Sequence, residues 1–258
     1  MANDVHAHNG FGCESCHGGN PSPAVAEDPE AAMSRAAGYI AKPSRKNIPQ
    51  LCGKCHSDPA LIKKYNPAVP TDQLASYRTS HHSKRLFEKG DDKVAVCSDC
   101  HGNHGILAAN DSRSSVYALN VPATCGRCHG NAEYMASYPI GAQQFADYET
   151  SVHGQALLRK RDLAAPACND CHGNHGAIPP DVASISHVCG RCHINNAELF
   201  EKSPHAKAYA EMGLAQCEAC HGAGSFHVAA PSASNITKVA AARKTADLTA
   251  ADMAYGKA

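Results

Sequence analysis

Tryptophan is absent from this chain of 258 residues, and aromatic residues make up only 5% of it. Leu, Ile, Val and Phe number 38 in all, about 15%, a content that in an ordinary chain signals disorder. The 43% of hydrophobic residues is inflated by 45 Ala and 14 Cys. Side chains this small cannot bury enough apolar surface to offset the conformational entropy lost on folding. There is no run of 18 apolar residues, which excludes a transmembrane helix. The opening Met1-Ala2-Asn3-Asp4 lacks both a charged n-region and an apolar h-region, so no signal peptide is visible. Neither charge predominates: 24 Lys and Arg balance 24 Asp and Glu. No basic stripe is left to hold a polyanion, which speaks against nucleic acid as a partner.

What the chain does have is cysteine and histidine in one arrangement. Cys-x-x-Cys-His occurs seven times and uses all 14 cysteines: Cys13 and Cys16, Cys52 and Cys55, Cys97 and Cys100, Cys125 and Cys128, Cys168 and Cys171, Cys189 and Cys192, Cys217 and Cys220. The seven copies end in His17, His56, His101, His129, His172, His193 and His221. With 17 histidines in the chain, histidine would follow seven CxxC pairs by chance about 5 × 10⁻⁹ of the time. Zinc knuckles place no such demand on the residue after the second cysteine, and a disulfide framework places none either. CxxCH is the attachment signature of c-type haem: two thiols add across the porphyrin vinyl groups and the adjacent imidazole becomes an axial iron ligand. Seven covalent haems c, at about 37 residues each, would supply the core that the side chains lack. The expected fold is mainly α and irregular, with few strands, threaded by stacked haems.

An offset of 71 residues superimposes two stretches. Leu74, Tyr77, Thr79, Ser80, His82 and Leu86 fall on Phe145, Tyr148, Thr150, Ser151, His153 and Leu157, and the run from Cys97 to Gly105 falls on the run from Cys168 to Gly176. Each copy leads to a Cys-Gly-Arg-Cys-His site, at Cys125 and at Cys189. A degenerate third copy holds Ser203-Pro204-His205 and the site at Cys217. The organisation expected is a body over 1–230, with a two-haem segment at 1–66 and repeats at about 72–135, 143–198 and 199–230. An Ala-rich, haem-free tail follows at 231–258. The pattern predicts a helix from Asp72 to about Glu88, capped by Thr71 and closed by Gly90. It predicts another from Pro29 to Ile40, with Asp28 as N-cap.

Ten histidines lie outside the motifs, and seven would close the seven irons. The repeat selects His82, His153 and His205 upstream of sites, and His104, His175 and His227 just after them. The seventh comes from the N-terminal pair, His8 or His6, for the haem at Cys13. His81 and His187 are left as ordinary histidines, since Val152 and Ala123 stand at their repeat positions. Two axial ligands approach a porphyrin from opposite faces. His104 lies only three residues beyond His101, and His175 three beyond His172, so each would serve a haem attached at a different motif.

The CxxCH-Gly-x-His runs, the upstream Ser-x-His and the density of sites resemble the multihaem c-type cytochromes of anaerobically respiring bacteria, over about residues 1 to 230. The resemblance implies bis-histidine haems in alternating parallel and T-shaped pairs, relaying electrons from inner-membrane quinol oxidation to terminal acceptors. The expected function is electron transfer to other redox proteins or an extracellular acceptor, by a carrier or a self-associating filament subunit, not an enzyme. The expected location, from thioether haem attachment, is periplasmic or extracellular, in a mature form without its leader. The competing reading is a multihaem reductase or oxidase of a small nitrogen or sulfur compound. Such an enzyme needs one open iron, often marked by CxxCK, and no such site is present.

Overall fold

A computed structural model describes residues 3–179, 185–212, 216, 217 and 221. The chain is mainly helical, and no strand occurs among the described residues. It forms two compact units. One is Met1–Asn120 together with Gly173–Ile178; the other is Val121–His172 together with the described residues from Pro179 onward.

In the first unit, helix Ile48–His56 packs against helices Gln73–Thr79 and Cys97–His101. The second unit repeats the plan: helix Val121–His129 packs against Gln144–Thr150 and Cys168–His172. A third copy begins with Ile185–Gly190 against Ile194–Glu201, which in turn meets Pro204–Met212. The glycine inside each leading motif makes the approach possible. A Cβ on Gly53 would collide with the Leu74 side chain, one on Gly126 would lie 2.8 Å from Phe145 Cδ2, and one on Gly190 would lie 2.9 Å from Ala197 Cβ.

The helix expected from Asp72 to Glu88 is two helices, Gln73–Thr79 and His81–Glu88, capped by Asp72 and Ser80 rather than Thr71. Ser80 is extended (φ −67°, ψ 155°), and its Oγ accepts from Ser83 N at 3.0 Å. The cap offers the backbone an alternative to continuing the first helix. Ser151 repeats the break (ψ 162°), its Oγ accepting from Gly154 N at 3.0 Å. The helix expected over Pro29 to Ile40 is a single turn, Pro29–Ala32, with Asp28 as its cap. Carbonyls that a longer helix would use are claimed from outside: Asn20 N donates to Ala32 O and Gly19 N to Ala37 O.

The buried apolar side chains are few and follow the repeat. Tyr77, Leu86, Val94 and Val96 lie in the first unit; Val121, Met135, Tyr148, Leu157, Ala167 and Tyr209 lie in the second. Tyr77 Oη donates to Ala95 O at 2.9 Å, and Tyr148 Oη to Pro166 O at 2.8 Å. Each bond ties a helix to the segment just before the next motif. Six residues beyond the capping serine stand Leu86, Leu157 and, in the third copy, Tyr209, all buried.

Candidate functional site

Five of the CxxCH motifs are short helices or the last turns of longer ones. Cys13–His17, Cys97–His101 and Cys168–His172 are five-residue helices, whereas the motifs at Cys52 and Cys125 close the nine-residue helices Ile48–His56 and Val121–His129. A helical turn puts the two thiols, three residues apart, on one face with the histidine beside them. Asp99 and Asp170 hold two of these turns, each Oδ2 accepting at 2.7 Å from the backbone N–H three residues earlier, Val96 and Ala167. Arg45 braces Asp99 through Oδ2 at 2.6 Å. Directly after the histidines, Gly102 (φ 83°) and Gly173 (φ 84°) take the left-handed conformation that turns the chain away.

The motifs come together in twos through their leading cysteines. Cys52 and Cys97 share a thiol hydrogen bond, as do Cys125 and Cys168, and Cys189 and Cys217. That bond raises the Cys97 and Cys125 thiols and lowers their partners, with Cys217 brought down to about 7. The structural repeat is thus a pair of motifs: a Cys-Gly-x-Cys-His helix, a serine-capped break and a second motif. Sequence alignment by the offset of 71 set the site at Cys52 apart from the repeat. Its Cys-Gly-Lys-Cys-His was the signal that it opens the first copy.

The histidines pair as well. His17 lies 6.0 Å from His104 between ring centroids (interplanar angle 23°), and His101 lies 6.1 Å from His175 (10°). His6 lies 6.0 Å from His56 (87°), and His153 lies 6.1 Å from His193 (32°). Aromatic rings meet at such distances for ordinary packing reasons. The partners are what distinguish these contacts: each joins a motif histidine to one outside the motifs. Burial, aided by the facing or neighbouring imidazole, holds His56, His101 and His153 below the usual histidine range. Burial does the same for His175 against the opposing pull of Asp72. A neutral imidazole is the form that binds a metal.

Two imidazoles holding one metal between them would have ring centroids about 6.3 Å apart, given a metal–imidazole bond of about 2.0–2.1 Å and a nitrogen about 1.1 Å from its own centroid. The four separations are close to that value, although no cluster of three or more metal-binding side chains occurs among the described residues. The buried Oε1 atoms of Gln73 and Gln144, at the same repeat position, have no hydrogen-bond partner in the protein. The donor set, two thiols and two imidazoles at a site, is the one a covalently attached haem requires.

The structure places His104 and His175 opposite histidines of other motifs, His17 and His101 respectively. At the N-terminus the ring beside His17 is that of His104, and His6 lies beside His56 of the second motif. Asp4 helps to hold His6 there. Its Oδ1 accepts from His6 N and Ala7 N while Oδ2 accepts from Ile106 N at 2.8 Å, tying helix Val5–His8 to the loop beyond His104. Two residues further round the turn, His8 is exposed. His82 and His205 occupy the register of His153, second in the helices His81–Glu88 and Pro204–Met212, and both are half-buried. His205 lies 5.9 Å from Tyr209. His129 and His172 are close enough for His172 to hold His129 low, after burial. His81 and His187 are exposed. Cys220, His227 and the segment 231–258 lie outside the described residues. Among the described residues no helix is long and apolar enough to cross a membrane. Comparison of the chain with protein-family models, with curated proteins and with solved structures finds no match.

Proposed function

We propose that the chain is an electron-transfer protein carrying seven covalently bound haems c, each iron closed by two imidazoles. The observation that carries this reading is the set of four histidine pairs, each joining a CxxCH histidine to a histidine from elsewhere in the sequence. A haem, when bound, supplies reversible one-electron reduction and reoxidation. The chain's own residues do the rest. Paired leading cysteines bring attachment points of successive motifs together within a unit. Histidines borrowed from neighbouring motifs clamp them in place. Closed irons leave no position for a substrate, which favours relay over reductase chemistry. The setting for such a protein is the periplasm or the cell exterior, where thioether attachment takes place, and its partners are other redox proteins.

Cross-ligation makes the reading testable. His104→Ala should convert the haem attached at Cys13 and Cys16 to a high-spin, cyanide-binding form, and His175→Ala should do so at Cys97 and Cys100. Spectroscopy with cyanide titration, combined with variants in which one attachment motif is removed, identifies the opened site. If each substitution opened only the haem of its own motif, at Cys97 or Cys168, the ligation scheme would be wrong.

A further inference from the structure

Net charge conceals an uneven distribution. Residues 1–32 contain five acids and no base, whereas residues 33–90 contain eleven bases and three acids. Part of that excess gathers in a groove on the first unit, lined by Gln50, Arg78, Ser83, Lys84, Phe87 and Glu88. Arg78 and Lys84 are exposed, and Phe87 is 43% exposed between them. Lys46 and Lys54, also exposed, stand four residues either side of Gln50 and extend the same face. The ion pairs of this unit engage Arg45, Arg85 and Arg113; Arg78 and Lys84 belong to none of them. Glu88 is the one carboxylate in the lining.

The repeat does not impose this charge. In the second copy Glu149 stands at the position of Arg78 and Gln155 at that of Lys84. In the third copy Glu201 takes the place of Arg78, while the lysine at the position of Lys84, Lys207, is paired with Glu211. Nor is the groove remote from the proposed redox centres. Gln50 and Lys54 lie on the side of helix Ile48–His56 opposite Cys52, Cys55 and His56, so one helix width, about 10 Å, separates the two faces. An exposed aromatic ring ringed by cations, backed by an attachment motif, has the composition of a docking site: an apolar anchor and an electrostatic rim.

We propose that this groove is where an acidic redox protein docks to exchange electrons through the motifs at Cys52 and Cys97. The assignment rests on the electron-transfer reading above and adds the point of entry and the charge of the partner. Complementarity selects an anionic face, since like charge across an interface is strongly disfavoured.

The test uses the haem-loaded protein, flavodoxin as an acidic one-electron donor, and basic cytochrome c as the opposite-charge control. Association is followed by titration calorimetry, and haem reduction by stopped-flow absorbance. With flavodoxin the second-order rate should fall as salt rises. The double variant Arg78→Glu, Lys84→Glu should lose roughly tenfold in both rate and affinity at low ionic strength. Lys160→Glu, at an exposed cation of the second copy outside every attachment motif, should leave both unchanged. An equal loss with Lys160→Glu, or none with the double variant, would overturn the groove assignment. So would a change in which the groove answers only to self-association or to anionic lipid vesicles while flavodoxin is indifferent. Failure of the haems to accept electrons even from dithionite would refute the electron-transfer reading instead, with flavodoxin affinity still reporting on docking.

Discussion

Asp4 is almost wholly buried, and its carboxylate, together with the Val5 N–H that donates to Ile106 O at 2.8 Å, joins the N-terminus to residues a hundred positions away. Burial alone would raise its pKa. The backbone N–H groups of Ile106, His6 and Ala7 outweigh that and hold it below the usual carboxylate range. A carboxyl whose folded pKa lies below its unfolded value of about 3.9 stabilises the fold above that pH, and the contribution is lost as pH falls through the folded pKa. Asp4→Ala would leave three N–H groups without their acceptor, at a cost of about 1–3 kcal/mol each where they stay buried. We expect it to release His6 from His56 and to produce a high-spin signal at the haem attached at Cys52 and Cys55. In the unmutated protein the same signal should rise reversibly in acid, below about pH 4. A high-spin signal at the Cys13 site instead would return the N-terminal histidines to the first motif. At this scale the sequence was legible for spacing: His104 lies three residues beyond His101, too near to serve the same haem in the proposed scheme. It was silent on whether His6 or His8 turns inward, because that choice depends on a hydrogen bond spanning 102 residues.

Serine caps at Ser80 and Ser151 each divide what would be one helix into two. Periodicity runs through Ser80 undisturbed and extends the apolar stripe of Leu74 and Tyr77 toward the next helix, while the competing side-chain bond to Ser83 carries no periodic signature. Yet the break is what directs His82, His153 and His205 from one shared position, second in the helix that follows. Ser80→Ala and Ser151→Ala should each cost about 1 kcal/mol, read by chemical denaturation of the haem-loaded protein. Gly154→Ala should cost more, because its Cβ would fall on the Tyr148 carbonyl, a backbone atom that cannot swing aside. Equal stability for Ser151→Ala and Gly154→Ala would show that the break is not held by these contacts. The glycine of Cys-Gly-x-Cys-His belongs to the same scale. It is read from sequence as a motif variable and from structure as the seat for Leu74, Phe145 or Ala197.

The whole molecule is poor in ordinary core. The ten buried apolar residues among those described include three tyrosines, an alanine and a methionine. Composition anticipated this poverty, and the mainly helical character, without strands among the described residues, accords with the turn-rich spacing between motifs. Composition could not anticipate the division into two units, in which Gly173–Ile178 leaves the second unit to join the first. That excursion carries His175 to His101, so the long-range link and the ligand scheme are one feature. Net charge was equally uninformative about the cationic groove, since balance over the chain hides segregation along it. The central claim is that seven CxxCH motifs bind haem and that imidazoles from elsewhere close every iron. The ferric protein's electron paramagnetic resonance and near-infrared magnetic circular dichroism spectra test it most directly. The account predicts low-spin, bis-imidazole signals that integrate to seven haems per chain and do not change on adding cyanide. A high-spin component amounting to one haem in seven would contradict it and would favour a catalytic site.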